Sequence, residues 1–242
     1  MKTSMRINKY LASIGIGSRR KIDQLISEGK ITVNGSLATM GMQVDPQKDQ
    51  LMVNQNPVKI NPSLALVYLK LYKPPGLVST TSDPDGKPTI MTLLDEQFAK
   101  FRLFPVGRLD LMSEGLMIMT NDGAFAQKIT HPKFQVAKEY LVWINGKLTE
   151  YDLRSLSRGV RLSDGSKVSA LVEVVFREPT KSKLKLTITQ GKNHQVRRMM
   201  SKVGLMVTRL KRIKLGPISI DDLYEGEVRV LTCQEIEAIN SL

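Results

Sequence analysis

Apolar residues in the first sixty positions change period once. Ile7, Tyr10, Leu11 and Ile14 fall at the i, i+3, i+4, i+7 spacing of one helical face, and Gly15 and Gly17 end the run. Ser18 is a good N-cap for a second helix, with Ile22, Leu25 and Ile26 on one face and Gly29 as its stop. From Ile31 the period falls to two. Ile31 and Val33 alternate, Asn34-Gly35 predicts a tight hairpin turn, and Leu37 follows. Asp45-Pro46 turns again, and Leu51 and Val53 give another strand. Residues 54–63, with Asn54, Asn56, Pro57, Asn61 and Pro62, read as a linker. The expected division is a helix-helix-strand module of residues 1–60 and a larger one of residues 64–242.

In the larger module, strand-like segments fall at 66–72, 116–120, 139–144, 171–176 and 184–189. Helix candidates fall at 90–94, 124–130, 148–158 and 194–203. Strands and helices interleave, yet several strands look hairpin-linked. An α+β fold on a mixed, mainly antiparallel sheet is expected rather than a doubly wound one. Neither repeats nor low-complexity tracts occur.

Charge narrows the picture. The 242 residues carry 36 Lys plus Arg against 23 Asp plus Glu, a net charge of +13. A body this basic repels itself unless a polyanion is near, so nucleic acid is the first candidate and an acidic membrane surface the second. Residues 1–60 hold nine basic and four acidic residues, and the stretch 179–220 holds eleven basic residues and no acidic one. Two basic surfaces on two modules suit a long polyanion better than a small acidic metabolite. Arg19, Arg20 and Lys21 fall in the first turn of the second helix, where they oppose the helix dipole. A bound phosphate would remove that conflict. A solvated charge cluster is the plainer alternative.

Several classes drop out. The apolar stretch 64–69 is too short to span a bilayer. The start Met-Lys-Thr-Ser-Met-Arg, soon followed by Lys9, lacks a secretory apolar core. Cys233 is the one cysteine, and His131 and His194 are the only histidines, so neither a disulfide nor a Cys- or His-rich metal site is expected. A cytoplasmic, metal-free protein follows. Gly15-Ile-Gly17 has Arg20 where a dinucleotide fingerprint needs its third glycine, and Pro88 spoils Gly86-Lys87-Pro88-Thr89 as a phosphate loop. Asp221-Asp222 reads as a turn with solvated charges rather than a metal site.

The segment 104–123 stands apart. Gly107 precedes Arg108 and Asp110, followed by a polar loop, an apolar strand and an Asn-Asp-Gly turn. Arg108 and Asp110 are two apart and share a face of an extended segment, which fits either a catalytic pair or a surface ion pair of little worth. Gly107-Arg108-Leu109-Asp110, with Ser113-x-Gly115-Leu116 and Thr120-Asn121-Asp122-Gly123, resembles the central motif of RNA pseudouridine synthases of the ribosomal small-subunit synthase A family, which includes large-subunit enzymes. Three further segments agree in order. Lys73-Pro74-Pro75-Gly76-Leu77-Val78-Ser79-Thr80 resembles the first motif, Lys138-Glu139-Tyr140-Leu141-Val142 the segment of the active-site tyrosine, and the segment 186–199, with Gly191-Lys192-Asn193-His194-Gln195-Val196-Arg197-Arg198, the third motif. The N-terminal module resembles the S4 RNA-binding domain.

The resemblance implies that a uridine of ribosomal RNA is isomerised to pseudouridine, without metal or cofactor, by a monomer. Asp110 is implied as the essential carboxylate, Arg197 as the cation that keeps it charged, and Tyr140 as the ring that stacks on the base. Arg108 is implied to steady the flipped nucleotide or its phosphates. Lys73 and Lys138 are implied to contact phosphates or support the pocket, with Lys192 and Arg198 as further RNA contacts beside Arg19, Arg20 and Lys21. The stretches 156–165 and 210–217 are closer to the large-subunit members, which favours 23S rRNA. The alternatives are 16S rRNA, tRNA, or a non-catalytic rRNA-binding assembly factor.

Overall fold

The computed structural model describes residues 4–58, 65–220 and 223–242. The chain forms two compact units that divide between Leu66 and Val67. Asp221-Asp222 lies outside the described residues.

In the smaller unit, α1 (Ile7–Ser13) and α2 (Arg19–Ser27) sit on their predicted apolar faces. The Ser18 hydroxyl accepts from the Lys21 backbone N–H at 3.1 Å, capping α2 as expected. An antiparallel sheet runs in the order Ser36–Leu37, Ile31–Val33, Leu51–Val53, Asn56–Pro57. Asn34 and Gly35 turn with φ of 52° and 83°, as the Asn-Gly pair requires. Ile7, Leu11, Ile22, Ile26, Ile31 and Val33 form the core. The expected linker is partly structured. Asn54 and Gln55 make a left-handed turn, and Asn56–Pro57 pairs back onto Leu51–Val53 as an edge strand, where proline is tolerated. Residues 59–64 lie outside the described residues.

The larger unit is α+β, built on a nine-stranded sheet. Its main strands are β1 (Tyr68–Lys73), β2 (Glu114–Thr120), β3 (Lys138–Asn145), β4 (Leu171–Arg177), β5 (Lys181–Ile188), β6 (Met206–Leu215) and β7 (Val228–Val230). They run in the order β4-β5-β3-β6-β2-β1-β7. Only the central β2–β6 contact is parallel among these pairs, so the sheet is mixed and mainly antiparallel. Two short strands, Phe104–Pro105 and Ile218–Ser219, extend β2 and β6.

Burial follows sequence strand by strand. In β2 the run Gly-Leu-Met-Ile-Met is buried on both faces, Leu116 and Ile118 in one cluster, Met117 and Met119 in another. That is the pattern of a central strand, and each such side chain contributes roughly 1.5–3 kcal/mol. In β5, Ser182, Leu184, Leu186 and Ile188 point inward between outward lysines. They pack with Val142 and Ile144 of β3, Leu156 of α4 (Glu150–Arg158), and Val196, Met199 and Met200 of α5 (Gln195–Lys202). Helix α3 (Gly123–Thr130) is capped by Asp122 and buries Phe125 and Ile129. The C-terminal α6 (Cys233–Asn240) opens on a Thr232/Glu235 capping box.

Candidate active site

Asp110 lies on the loop that leads into β2, and the first sequence motif straps that loop down. The Ser79 hydroxyl donates to the Leu109 carbonyl at 2.7 Å and accepts from the Leu109 N–H at 3.1 Å. The Gly76 N–H donates to the Leu111 carbonyl at 2.9 Å. Lys73, 0% exposed, donates its ammonium to the carbonyls of Pro74, Leu111 and Ser113 at 2.9, 3.2 and 2.7 Å. Five of these bonds grip the residues that flank Asp110. Burial pulls the Lys73 ammonium down to about 8, against an opposing pull from Asp110 and Glu114.

The Asp110 side chain, 26% exposed, opens into a cavity of about 780 Å³. That volume suits a small-molecule or nucleotide site. Arg108, Asp110, Lys138, Tyr140 and Lys192 all line it. Tyr140 is 7% exposed and faces inward from β3. Arg108 is exposed and makes no hydrogen bond or ion pair with other described residues, so its guanidinium is available to a ligand. Lys138 donates to the carbonyls of Val136 and Thr189 at 2.8 and 3.2 Å. Burial, and then the charge of Arg212, push its ammonium down.

Two expectations need correction. Arg197 does not pair with Asp110. Its guanidinium donates to the carbonyls of Val207 at 3.3 Å and Met112 at 3.5 Å. Val196, Met199 and Met200 take the buried face of α5, which turns Arg197 beside the core rather than into the cavity. It holds the chain two residues past Asp110 instead. Of the two roles expected of Lys73, its ammonium takes support of the pocket and not phosphate contact, because it is sealed under the Asp110 loop. The Arg198 guanidinium is engaged outside the cavity by Asp164 at 3.0 Å and by the Ser163 hydroxyl at 3.1 Å.

The side chain that does face Asp110 is His194, whose Nε2 lies 3.7 Å from Oδ1. His194 is the N-cap of α5 in the left-handed region, φ 49°, which swings its ring over the cavity. Sequence reasoning quoted it within the third motif and gave it no role. It also missed Ser79, Ser113 and Arg212, the last two being buried lining residues of the same cavity. In the smaller unit, Arg19, Arg20 and Lys21 occupy the first turn of α2 and are exposed. Arg19 also reaches the Asn8 side-chain oxygen at 3.4 Å, and Lys21 that of Gln24 at 3.2 Å.

Comparison with known proteins is consistent across the chain. Residues 67–202 match the RNA pseudouridylate synthase family and residues 5–51 the S4 domain. An uncharacterised RNA pseudouridine synthase of Aquifex aeolicus is 38% identical, covering 96% of this chain and 92% of that protein. The ribosomal large subunit pseudouridine synthase B of Bacillus subtilis is 37% identical, covering 98% of this chain and 96% of its own length. A crystal structure of a pseudouridylate synthase superposes with a TM-score of 0.70 at 30% identity, over 97% of this chain and 99% of that one. Among the described residues, no helix is long and apolar enough to cross a membrane.

Proposed function

The chain belongs to the RNA pseudouridylate synthase family, and we propose that it isomerises one uridine of large-subunit ribosomal RNA with Asp110 as the catalytic carboxylate. The reaction breaks the bond between ribose C1′ and base N1, turns the base, and joins C5 to C1′. Asp110 acts on the ribose, either as nucleophile at C1′ or as the base that takes a proton from C2′. Either role needs an ionised carboxylate, a fixed loop and little water. The observation that carries this is the strapped Asp110 loop facing the cavity that Tyr140, Arg108 and His194 share. A uridine inside a duplex cannot expose C5 to that cavity, so the nucleotide enters flipped. Tyr140 stacks on its base, and Arg108 with Lys192 meets its flanking phosphates. The target is assigned to large-subunit rRNA because the relative from Bacillus subtilis carries that name and aligns over nearly the whole chain.

Residues 1–60 dock the RNA and residues 64–242 carry out the chemistry. Arg19, Arg20 and Lys21 supply phosphate contacts at the start of α2, which position the protein without reading sequence. The enzyme works as a cytoplasmic monomer. The test is to map pseudouridines in all rRNA and tRNA from cells with and without the gene. Loss of one large-subunit position, restored by the gene, is expected. Loss confined to 16S rRNA or tRNA would overturn the target. Unchanged modification throughout would overturn catalysis and leave an rRNA-binding assembly factor.

A further inference from the structure

The cavity holds a buried cation that the steps above leave unused. Arg212 on β6 stands directly opposite Tyr140 on β3, so both side chains lie on one face of the sheet. Arg212 lines the cavity and is 3% exposed. Its Nε donates to the Leu116 carbonyl at 2.8 Å, which fixes the guanidinium plane against β2. Its Nη2 has no hydrogen-bond partner, and no carboxylate among the described residues pairs with it. Burying such a donor unpaired costs roughly 1–3 kcal/mol, and more when it is charged. The Ser113 hydroxyl is a second buried, unpartnered atom, so two of the three such atoms among the described residues belong to residues that line this cavity.

The position of Arg212 is set by the sheet. Gly115 pairs with it across the parallel β2–β6 contact, and a Cβ on Gly115 would meet the Arg212 carbonyl at 2.2 Å. This close backbone approach holds the guanidinium on a rigid element rather than a loop. A donor fixed in a desolvated site is suited to charge that develops only during reaction.

Such charge arises when the base departs. As the C1′–N1 bond breaks, the electron pair leaves with uracil, which becomes an anion delocalised over N1 and its carbonyl oxygens. The count is the same whether Asp110 attacks C1′ or takes the C2′ proton. We propose that Arg212 donates from Nη2 to a carbonyl oxygen of the detached base and stabilises this anion while it turns. The base then forms the C5–C1′ bond, which releases Asp110 or, on the other route, accompanies return of the proton to C2′. The C5 proton is lost and N1 gains one.

The inference rests on the proposed uridine isomerisation, and the test separates the two. Single-turnover consumption of the target uridine is measured for the unaltered protein and for Arg212→Gln. It is repeated on RNA carrying 5-fluorouridine at the target, where fluorine itself stabilises the departing anion. Arg212→Gln should slow uridine consumption by roughly 10²–10³-fold, as removal of one oxyanion donor does. RNA affinity should hold within about threefold, since phosphate contacts elsewhere supply it. The loss should be clearly smaller on 5-fluorouridine. An inactive unaltered protein would sink both proposals. An unchanged rate, an equal loss on both substrates, or a loss of affinity alone would sink this one only. Should Arg212→Gln fail to fold, a crystal structure of the unaltered protein with the 5-fluorouridine RNA decides. A base carbonyl oxygen within about 3.2 Å of Nη2 is expected, and a water or phosphate oxygen there instead overturns the assignment.

Discussion

Lys73→Met removes the ammonium beneath the Asp110 loop while keeping an unbranched apolar stem. The loss strands the Ser113 carbonyl and takes the ammonium from that of Pro74, while the Leu111 carbonyl keeps the Gly76 N–H. A buried acceptor left unpaired costs roughly 1–3 kcal/mol, so the variant should be less stable by about 1–3 kcal/mol at pH 7. The pH dependence is more telling. In the folded protein the Lys73 ammonium titrates at about 8, against 10.5 for an ordinary lysine. Below pH 8 both folded and unfolded chains hold the proton, and this group gives no slope. Between pH 8 and 10.5 the unfolded chain binds more proton than the folded one, so stability from this group rises with pH, by about 3 kcal/mol across the window. The neutral amine keeps two donors for the carbonyls, so the wild-type advantage over Lys73→Met should widen through that window. Urea denaturation of both proteins from pH 7 to 10.5 measures the gap, and other titrating groups cancel in the difference. A gap that stays flat would mean that Lys73 titrates like an exposed lysine and reaches solvent or phosphate, contrary to the strap described here.

Gly115→Ala places a Cβ against the Arg212 backbone at φ +105°, and should destabilise the larger unit by roughly 3 kcal/mol or more; an unchanged thermal midpoint would contradict the close approach of β2 and β6. Changing Arg19, Arg20 and Lys21 together to Ala should weaken rRNA binding and flatten its salt dependence by up to about 2 in logarithmic slope. Turnover at saturating RNA should change far less, and an unaltered salt series would remove these residues from the docking surface. Dialysis against a strong chelator should leave activity on pre-folded RNA intact, whereas activity that returns only with one particular divalent ion would contradict a metal-free reaction.

Much of this was legible in the sequence because period and cap signals agree with the fold. The helices around Ile7 and Ile22, the Asn34-Gly35 turn and strands β1 to β5 follow from spacing alone. Strand β6 escaped notice because its alternation hides among cations. In Leu210-Lys211-Arg212 the inward positions are Leu210 and Arg212, and a buried arginine breaks the apolar pattern. Helix α6 carried a readable Thr232/Glu235 capping box that was passed over. For Lys73 the sequence leaves phosphate contact and support of the pocket both open, because lysines are almost never fully buried without a partner; its partners are backbone carbonyls, which no sequence pattern reveals. Arg197 and His194 exchanged places for a similar reason. Four motifs in order identify which segments meet, but the turn at the start of α5 decides which of two neighbouring side chains faces Asp110.

The central claim is that the Asp110 carboxylate performs the isomerisation. Its most direct test is single-turnover conversion of uridine to pseudouridine in a large-subunit rRNA fragment that contains the mapped target, with wild type and Asp110→Asn compared side by side. The substitution keeps the size of the side chain and removes its charge. Wild type should convert the target, and Asp110→Asn should bind the fragment with affinity within a few-fold of wild type, because binding rests on distributed phosphate contacts, yet form no detectable pseudouridine. Substantial pseudouridine formation by purified Asp110→Asn protein would contradict the account.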